Sequence, residues 1–310
     1  MRVAIITSAY NEEEGIEEFV KQISFNFDLF KKDYPEIKYE LVIANNKSFD
    51  KTLIKLIELK KKNNFLRVFD NQNNFGYDIS VLSTLKKIQA DYYIIMCSDL
   101  EDPPELAFSM LRDLIKSEDL DSMLGVKRDD KKNLLNLFRF FYYIFTSFST
   151  RTSFLCGYHG FGVYKKDTID TALLYAVNVS PDVRKSLLWA STNFHFDYYK
   201  KGLRSGGKSS YTNLSYFLEG FGQLINSPAL SSRISIRIAF FANSFLILLA
   251  IFFVYNFFVN IMIFPPGITT IVVLILFTSA INYLLIALNS RQIENLTMPN
   301  KFLKAKSKEI

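Results

Sequence analysis

From Ile238 to Ser290 the chain carries no formally charged residue. A helix needs about 20 apolar residues to cross the hydrocarbon layer of a bilayer, so this run suffices for two passes and not for three. Pro265, Pro266 and Gly267 interrupt it, and that triplet ends a helix rather than continuing one. The expectation is a transmembrane helical hairpin with spans at 236–264 and 268–288. Arg233 and Arg237 precede the hairpin, and Arg291, Lys301, Lys304, Lys306 and Lys308 follow it. The positive-inside bias then puts both termini, including a basic tail over 289–310, in the cytoplasm. The remaining composition fits a folded head: 49% hydrophobic and 15% aromatic residues in 310, with a net charge of +6, exclude a disordered or collagen-like chain. Two cysteines, Cys97 and Cys156, are too few for a disulfide framework, which suits a reducing compartment. The N-terminus MRVAIITSAYNEEE turns acidic where a secretory segment would stay apolar. A multi-pass membrane protein with a cytoplasmic head is the class expected.

Within residues 1–210 the pattern alternates between apolar runs and helical spacing. RVAIITS is followed by a helix through Ile16, Phe19, Val20 and Ile23; YELVIANN by TLIKLIELKKK; FLRVFDN by FGYDISVLSTLKKI; and DYYIIMCSD by PPELAFSMLRDLI. Each apolar run ends in Asn, Asp or Ser, and units of this kind predict an α/β domain with a mainly parallel sheet. Ligands of open α/β sheets collect at the carboxyl ends of the strands, so Ser8 to Asn11, Asn45 to Asp50 and Ser98 to Asp102 should converge on one crevice. The stretch LLNLFRFFYYIFTSFSTRTSF, dense in Phe and Tyr and flanked by basic residues, predicts an aromatic interface helix at about 134–150. A juxtamembrane amphipathic segment is expected at 211–235. His195, in the alternating TNFHFDYY, reads as a strand residue.

The order of these clusters resembles family 2 glycosyltransferases of GT-A fold, and within them the polyprenyl-phosphate branch, such as dolichol-phosphate mannose synthases and bactoprenol glucosyl transferases. Ser8-Ala9-Tyr10-Asn11-Glu12-Glu13 resembles the family's P-x-Y-N-E-E, and Asn45-Asn46-Lys47-Ser48-Phe49-Asp50 stands where the family writes D-D-G-S-x-D. Asn74-Phe75-Gly76 is similar to its N-x-G segment. Cys97 to Glu105 (CSDLEDPPE) is similar to D-A-D-L-Q-D-P-P-E, and Arg204 to Ser209 (RSGGKS) resembles its R-x-x-G-x-S loop. The similarity covers nearly the whole chain, and the acidic stretch after a strand is its most specific element.

The resemblance implies an inverting transfer of sugar from a nucleotide sugar to polyprenyl phosphate at the cytoplasmic face, assisted by Mg²⁺ or Mn²⁺. It implies Asp99 as the metal ligand, since a carboxylate suits a hard ion that stabilises a departing diphosphate. Along the nucleotide it implies Ser8, Tyr10, Asn11, Glu12, Asn45, Asn46, Asp50, Gly76 and Ser98, with the two asparagines at the nucleobase end. Arg204 and Lys208 suit a phosphate. Asp102 and His159 are the further catalytic candidates, their plainer alternatives being a helix N-cap for Asp102 and a structural role for His159. Several family carboxylates are absent: Cys97 replaces the first of the D-x-D, Asn45 and Asn46 replace a pair, and Gly160 or a neighbour stands near a family Asp. A lipid phosphate is already ionised and needs little help from a base. Two other readings stay open: a transferase acting on a glycan or lipid-linked hydroxyl, and a degenerate relative that binds without turnover. The partners expected are a nucleotide sugar, a polyprenyl phosphate and the membrane, without nucleic acid, and self-association is left open.

Overall fold

The computed structural model describes residues 1–128, 157–178, 181–202 and 307–309, together with residues 244, 248, 267, 274, 277, 278, 281, 282 and 285. The chain divides into two units, one made of Met1–Tyr143, Ser153–Ser210 and Met298–Ile310 and the other of Ile144–Thr152 and Tyr211–Thr297.

The first unit opens with the four strand-helix pairs the sequence predicts. They are β1 (Arg2–Ala9) and α1 (Ile16–Asp33), β2 (Lys38–Asn45) and α2 (Thr52–Lys62), β3 (Leu66–Asn71) and α3 (Gly76–Leu85), and β4 (Tyr92–Ile95) and α4 (Pro104–Lys116). There follow β5 (Ser122–Lys127), β6 (Tyr158–Lys165), α5 (Lys166–Asn178), α6 (Val183–Ala190), β7 (Phe194–Tyr199) and β8 (Ser307–Glu309). The eight strands form one sheet in the order β7-β5-β6-β4-β1-β2-β3-β8. β1 pairs in parallel with β2 and β4, as do β2 with β3 and β5 with β7. The sheet is mainly parallel, as expected, but mixed, because β6 runs antiparallel to β4 and β5, and β8 antiparallel to β3. An apolar run reads the same for either strand direction, which is why the sequence did not show this.

Alternate residues of the central strands feed two cores. Val3, Ile5, Leu41, Ile43, Leu66 and Val68 join Ile16, Phe19, Ile23, Phe27 and Phe30 of α1 and Phe108 and Leu111 of α4 on one face. Ala4, Ile6, Val42, Phe69, Tyr93 and Ile95 join residues of α3, α5 and α6 on the other. A strand covered on both sides must be apolar throughout, and β1 is buried from Val3 to Ile6. The helices thus fix the strands from both faces and leave their carboxyl ends to the loops.

In the second unit, residues 244, 248, 274, 277, 278, 281, 282 and 285 are helical, and the apolar side chains of Leu248, Leu274, Ile281 and Leu285 are exposed. The Thr278 hydroxyl donates to the Leu274 carbonyl at 2.8 Å, one turn back. Among the described residues no helix is long and apolar enough to cross a membrane. Apart from the positions just named, the spans expected at 236–264 and 268–288, the interface helix at about 134–150 and the segment 211–235 lie outside the described residues.

Candidate active site

Each of the four loops leaving β1 to β4 turns through a left-handed residue: Asn11 at φ 55°, Lys47 at 60°, Gly76 at 79° and Leu100 at 60°. Three of these are not glycine, a strained choice that the surrounding bonds must hold in place. The β1 and β2 loops hold each other. Asn11 donates its backbone N–H to Ser48 Oγ at 3.1 Å and accepts from the Phe49 N–H at 2.9 Å. Glu12 donates its N–H to Thr52 Oγ1 at 2.8 Å, and Glu13 donates to Asp50 Oδ2 at 3.1 Å. Asn11, Glu12 and Asp50 therefore lie in one joint, and with Glu13 and Glu14 they line a small acidic hollow. Tyr10 meets Phe49 edge to face at 6.3 Å, and Phe49 is 80% exposed.

Asn45 and Asn46 are brought to the same crevice but are buried, at 1% and 3% exposure. Asn46 accepts from the Phe75 N–H at 2.9 Å and from Asn71 Nδ2 at 3.3 Å, and donates to Asn74 Oδ1 at 2.8 Å. Asn45 donates to Asp70 Oδ1 at 2.7 Å and accepts from the Ser48 N–H at 3.4 Å. Both amides are engaged inside the protein. The same Asn74 oxygen accepts from the Gly76 N–H at 2.9 Å, which sets the start of α3.

Beyond β4, Ser98 donates to the Ser8 carbonyl at 3.2 Å, tying the ends of β1 and β4 together. Asp99 is partly exposed in the following turn, where its Oδ1 accepts the Glu101 N–H at 3.1 Å. The turn is clasped from outside: Lys201 pairs with Glu101, and Gly202 donates its N–H to the Glu101 carbonyl at 3.0 Å. A Cβ on Gly202 would stand 2.4 Å from the Leu100 carbonyl oxygen, so only glycine permits this approach.

Asp102 does not cap α4. Pro103 holds the N-cap position, and the fully buried Asp102 carboxylate turns inward instead. It accepts the Cys97 N–H at 2.9 Å on Oδ2, and on Oδ1 it meets the Tyr199 hydroxyl at 2.6 Å and His159 Nε2 at 2.9 Å. Burial alone would raise the Asp102 carboxyl, but the facing imidazolium and the three donors outweigh it and hold it below the ordinary carboxylate value. Burial alone would likewise lower His159, yet the Asp102 charge and hydrogen bond, with help from the Gly157 backbone, raise it. The pairing thus favours the protonated ring, and the His159 side chain is 32% exposed. Burial and the Asp102 charge keep Tyr199 protonated as a donor. The sequence offered one weak signal for Tyr199, the alternation of FHFDYY, and none that joined it to Asp102.

The ligand atoms of Cys97, Asp102 and His159 lie within 4.8 Å of one another. Burial, with nearby carboxylates, pushes the Cys97 thiol well up, so it stays neutral, and the Asp102 and His159 atoms are hydrogen-bonded to each other. Sulfur and nitrogen donors also suit a softer ion than Mg²⁺ or Mn²⁺. Asp99, partly exposed in its turn, offers a carboxylate oxygen of the kind a hard divalent ion takes. Arg204 and Lys208 lie outside the described residues.

An α/β sheet that gathers polar loops and a carboxylate at the carboxyl ends of parallel strands is the framework of a nucleotide-binding enzyme. The chain belongs to glycosyl transferase family 2, whose model matches residues 4–172 of 310; it is a glycosyltransferase. It is 23% identical to CsbB of Bacillus subtilis (strain 168), a protein named as a glycosyltransferase, over 91% of this chain and 83% of that one. It is 27% identical to the dolichol-phosphate mannosyltransferase of Pyrococcus furiosus, over 39% of this chain and 32% of that one. Among solved structures it is similar to the mannosyltransferase PcManGT of Pyrobaculum calidifontis in complex with GDP-Man and Mn²⁺. The identity is 15% and the TM-score 0.46, over 94% of this chain and 73% of that one.

Proposed function

We propose that the chain transfers a sugar, with inversion, from a nucleotide sugar to polyprenyl phosphate at the cytoplasmic face of a membrane. The observation that carries this reading is the state of Asp102. The carboxylate best buried in the site already meets three partners, the Cys97 N–H, the Tyr199 hydroxyl and His159 Nε2. With those bonds in place Asp102 is not free to remove a proton from an acceptor hydroxyl. An ionised phosphate acceptor needs no such base. Relatives named dolichol-phosphate mannosyltransferase and undecaprenyl-phosphate 4-deoxy-4-formamido-L-arabinose transferase support the same acceptor class. The uncharged run from Ile238 to Ser290 supports the membrane location, and so do the exposed apolar side chains of the helical residues Leu274, Ile281 and Leu285.

In this reading a phosphate oxygen of the lipid attacks the anomeric carbon from the side opposite the nucleotide. The bond to the donor diphosphate breaks, and its electron pair leaves with the nucleoside diphosphate. A protonated His159 would attract the acceptor phosphate, while Asp102 and Tyr199 fix the ring from behind. Asp99 would hold Mg²⁺ or Mn²⁺, which when bound neutralises charge on the leaving diphosphate. The test follows nucleoside diphosphate release by purified protein with a panel of nucleotide sugars and Mn²⁺. Release that requires polyprenyl phosphate supports the reading. Equal release with the free polyprenol or a glycan acceptor in its place overturns it.

A further inference from the structure

The two asparagines at the end of β2 have spent their amides inside the protein, which leaves open what group meets the base of the nucleotide. With the diphosphate near Asp99 at the end of β4, the nucleoside can run in either direction along the sheet edge. Toward β6 stand His159 and Tyr199 on Asp102, on the side the proposed acceptor takes, and the Lys201–Gly202 clasp on the Asp99 turn. Toward β1, β2 and β3 the strand ends stand side by side, with Ala9 in register with Asn45, and Asn45 with Asp70. From β4 to β3 is three strand spacings, about 14 Å, a span that suits a nucleoside diphosphate.

At the far end of that span stands Asp70. It is partly exposed, its Oδ1 is fixed by Asn45 Nδ2 at 2.7 Å, and its Oδ2 has no hydrogen-bond partner among the described residues. We propose that Asp70 reads the nucleobase, taking a base N–H on Oδ2, and that Asn45 is its positioning residue. This rests on the nucleotide-sugar reading above and adds to it the base class. A carboxylate only accepts, so it matches the N3–H of uracil or the N1–H of guanine. It opposes cytosine, whose N3 is itself an acceptor. The negative charge at the base end thus sits on β3, and the neutral Asn45 orients it.

The test measures the affinity of UDP, GDP and CDP for the full-length protein by calorimetry with Mn²⁺ present. Wild type is expected to bind UDP or GDP at least about tenfold more tightly than CDP, the cost of leaving one buried polar group unpaired. Asp70→Asn keeps the shape of the side chain and an oxygen for Asn45, and its new N–H can face the cytosine N3, so most of that preference should disappear. Asn45→Ala should weaken UDP and GDP severalfold while keeping their rank above CDP, because the carboxylate remains but is no longer held. An unchanged base ranking in Asp70→Asn, or a wild type without base preference, overturns the role of Asp70 and leaves the donor reading standing. No binding of any of the three by wild type overturns both.

Discussion

The Tyr199 hydroxyl donates to Asp102 Oδ1 at 2.6 Å, joining the last residue of β7 to the turn before α4 across 97 positions of sequence. Its acceptor is a buried carboxylate, so removing the donor leaves an oxygen short of a partner where water does not reach. Tyr199→Phe keeps the ring edge to face with Phe161 at 5.3 Å and removes only the hydroxyl. The expected cost is about 1.5–3 kcal/mol, measured as a lower urea midpoint with an unchanged slope. A midpoint equal to that of wild type would show that the hydroxyl does not hold Asp102.

The pairing of Asp102 with His159 gives stability a pH window. Asp102 is depressed in the fold, so its contribution is present above the ordinary Asp value of about 4 and is lost as pH falls through the folded value. His159 is raised, so its contribution is complete below the ordinary His value of about 6.5 and is lost as pH rises through the folded value. Both are intact between those limits. In His159→Gln the alkaline limb of the pH-stability curve should flatten while the acid limb persists, as followed by thermal melts from pH 4 to pH 9. An alkaline limb identical to that of wild type would place the titrating group elsewhere.

Asp99→Asn should leave the fold intact and remove most turnover, because a neutral amide binds a hard divalent ion far less well than a carboxylate does. A Mn²⁺ titration of activity checks this. Full turnover with unchanged metal dependence would remove Asp99 from the site.

Gly202→Ala should act on the same turn from a distance. The added Cβ meets the Leu100 carbonyl oxygen at 2.4 Å, so the Asp99 turn must shift. Half-saturation by Mn²⁺ is expected to rise by at least about tenfold, since a displacement of an ångström is enough to cost much of a site's function. The melting temperature should change little. An unchanged Mn²⁺ requirement would mean that the turn does not depend on the clasp.

At the other edge of the sheet, Arg67 holds both carboxylate oxygens of Glu309, at 2.7 and 3.0 Å, and reaches Glu40 at 2.7 Å with its remaining nitrogen. These groups are partly exposed, so Glu309→Gln should cost under about 1 kcal/mol. The local effect should be larger, with faster hydrogen exchange at the β3 amides that face β8. Exchange at wild-type rates would show that backbone pairing alone holds the strand.

What the sequence determined by itself is whatever neighbouring residues encode. The repeating units from Arg2 to Lys116 were legible because each apolar run, its polar end and the helical spacing that follows lie within a few tens of residues. The family was legible because its acidic stretch, residues 97–105, is continuous. The tertiary structure decided the rest. Strand direction carries no local mark, so the antiparallel β6 emerged only from pairing. Ser307 to Glu309 read as part of a basic tail and pair with β3, a contact far away in the chain that no periodicity announces. The roles within the crevice were decided in the same way. Asn45 and Asn46 read in sequence as residues at the nucleobase end, yet Asp70, Asn71, Asn74 and Phe75 engage their amides. Asp102, which reads equally well as a helix cap, is drawn inward by His159 and Tyr199 because a buried carboxylate goes where its donors are.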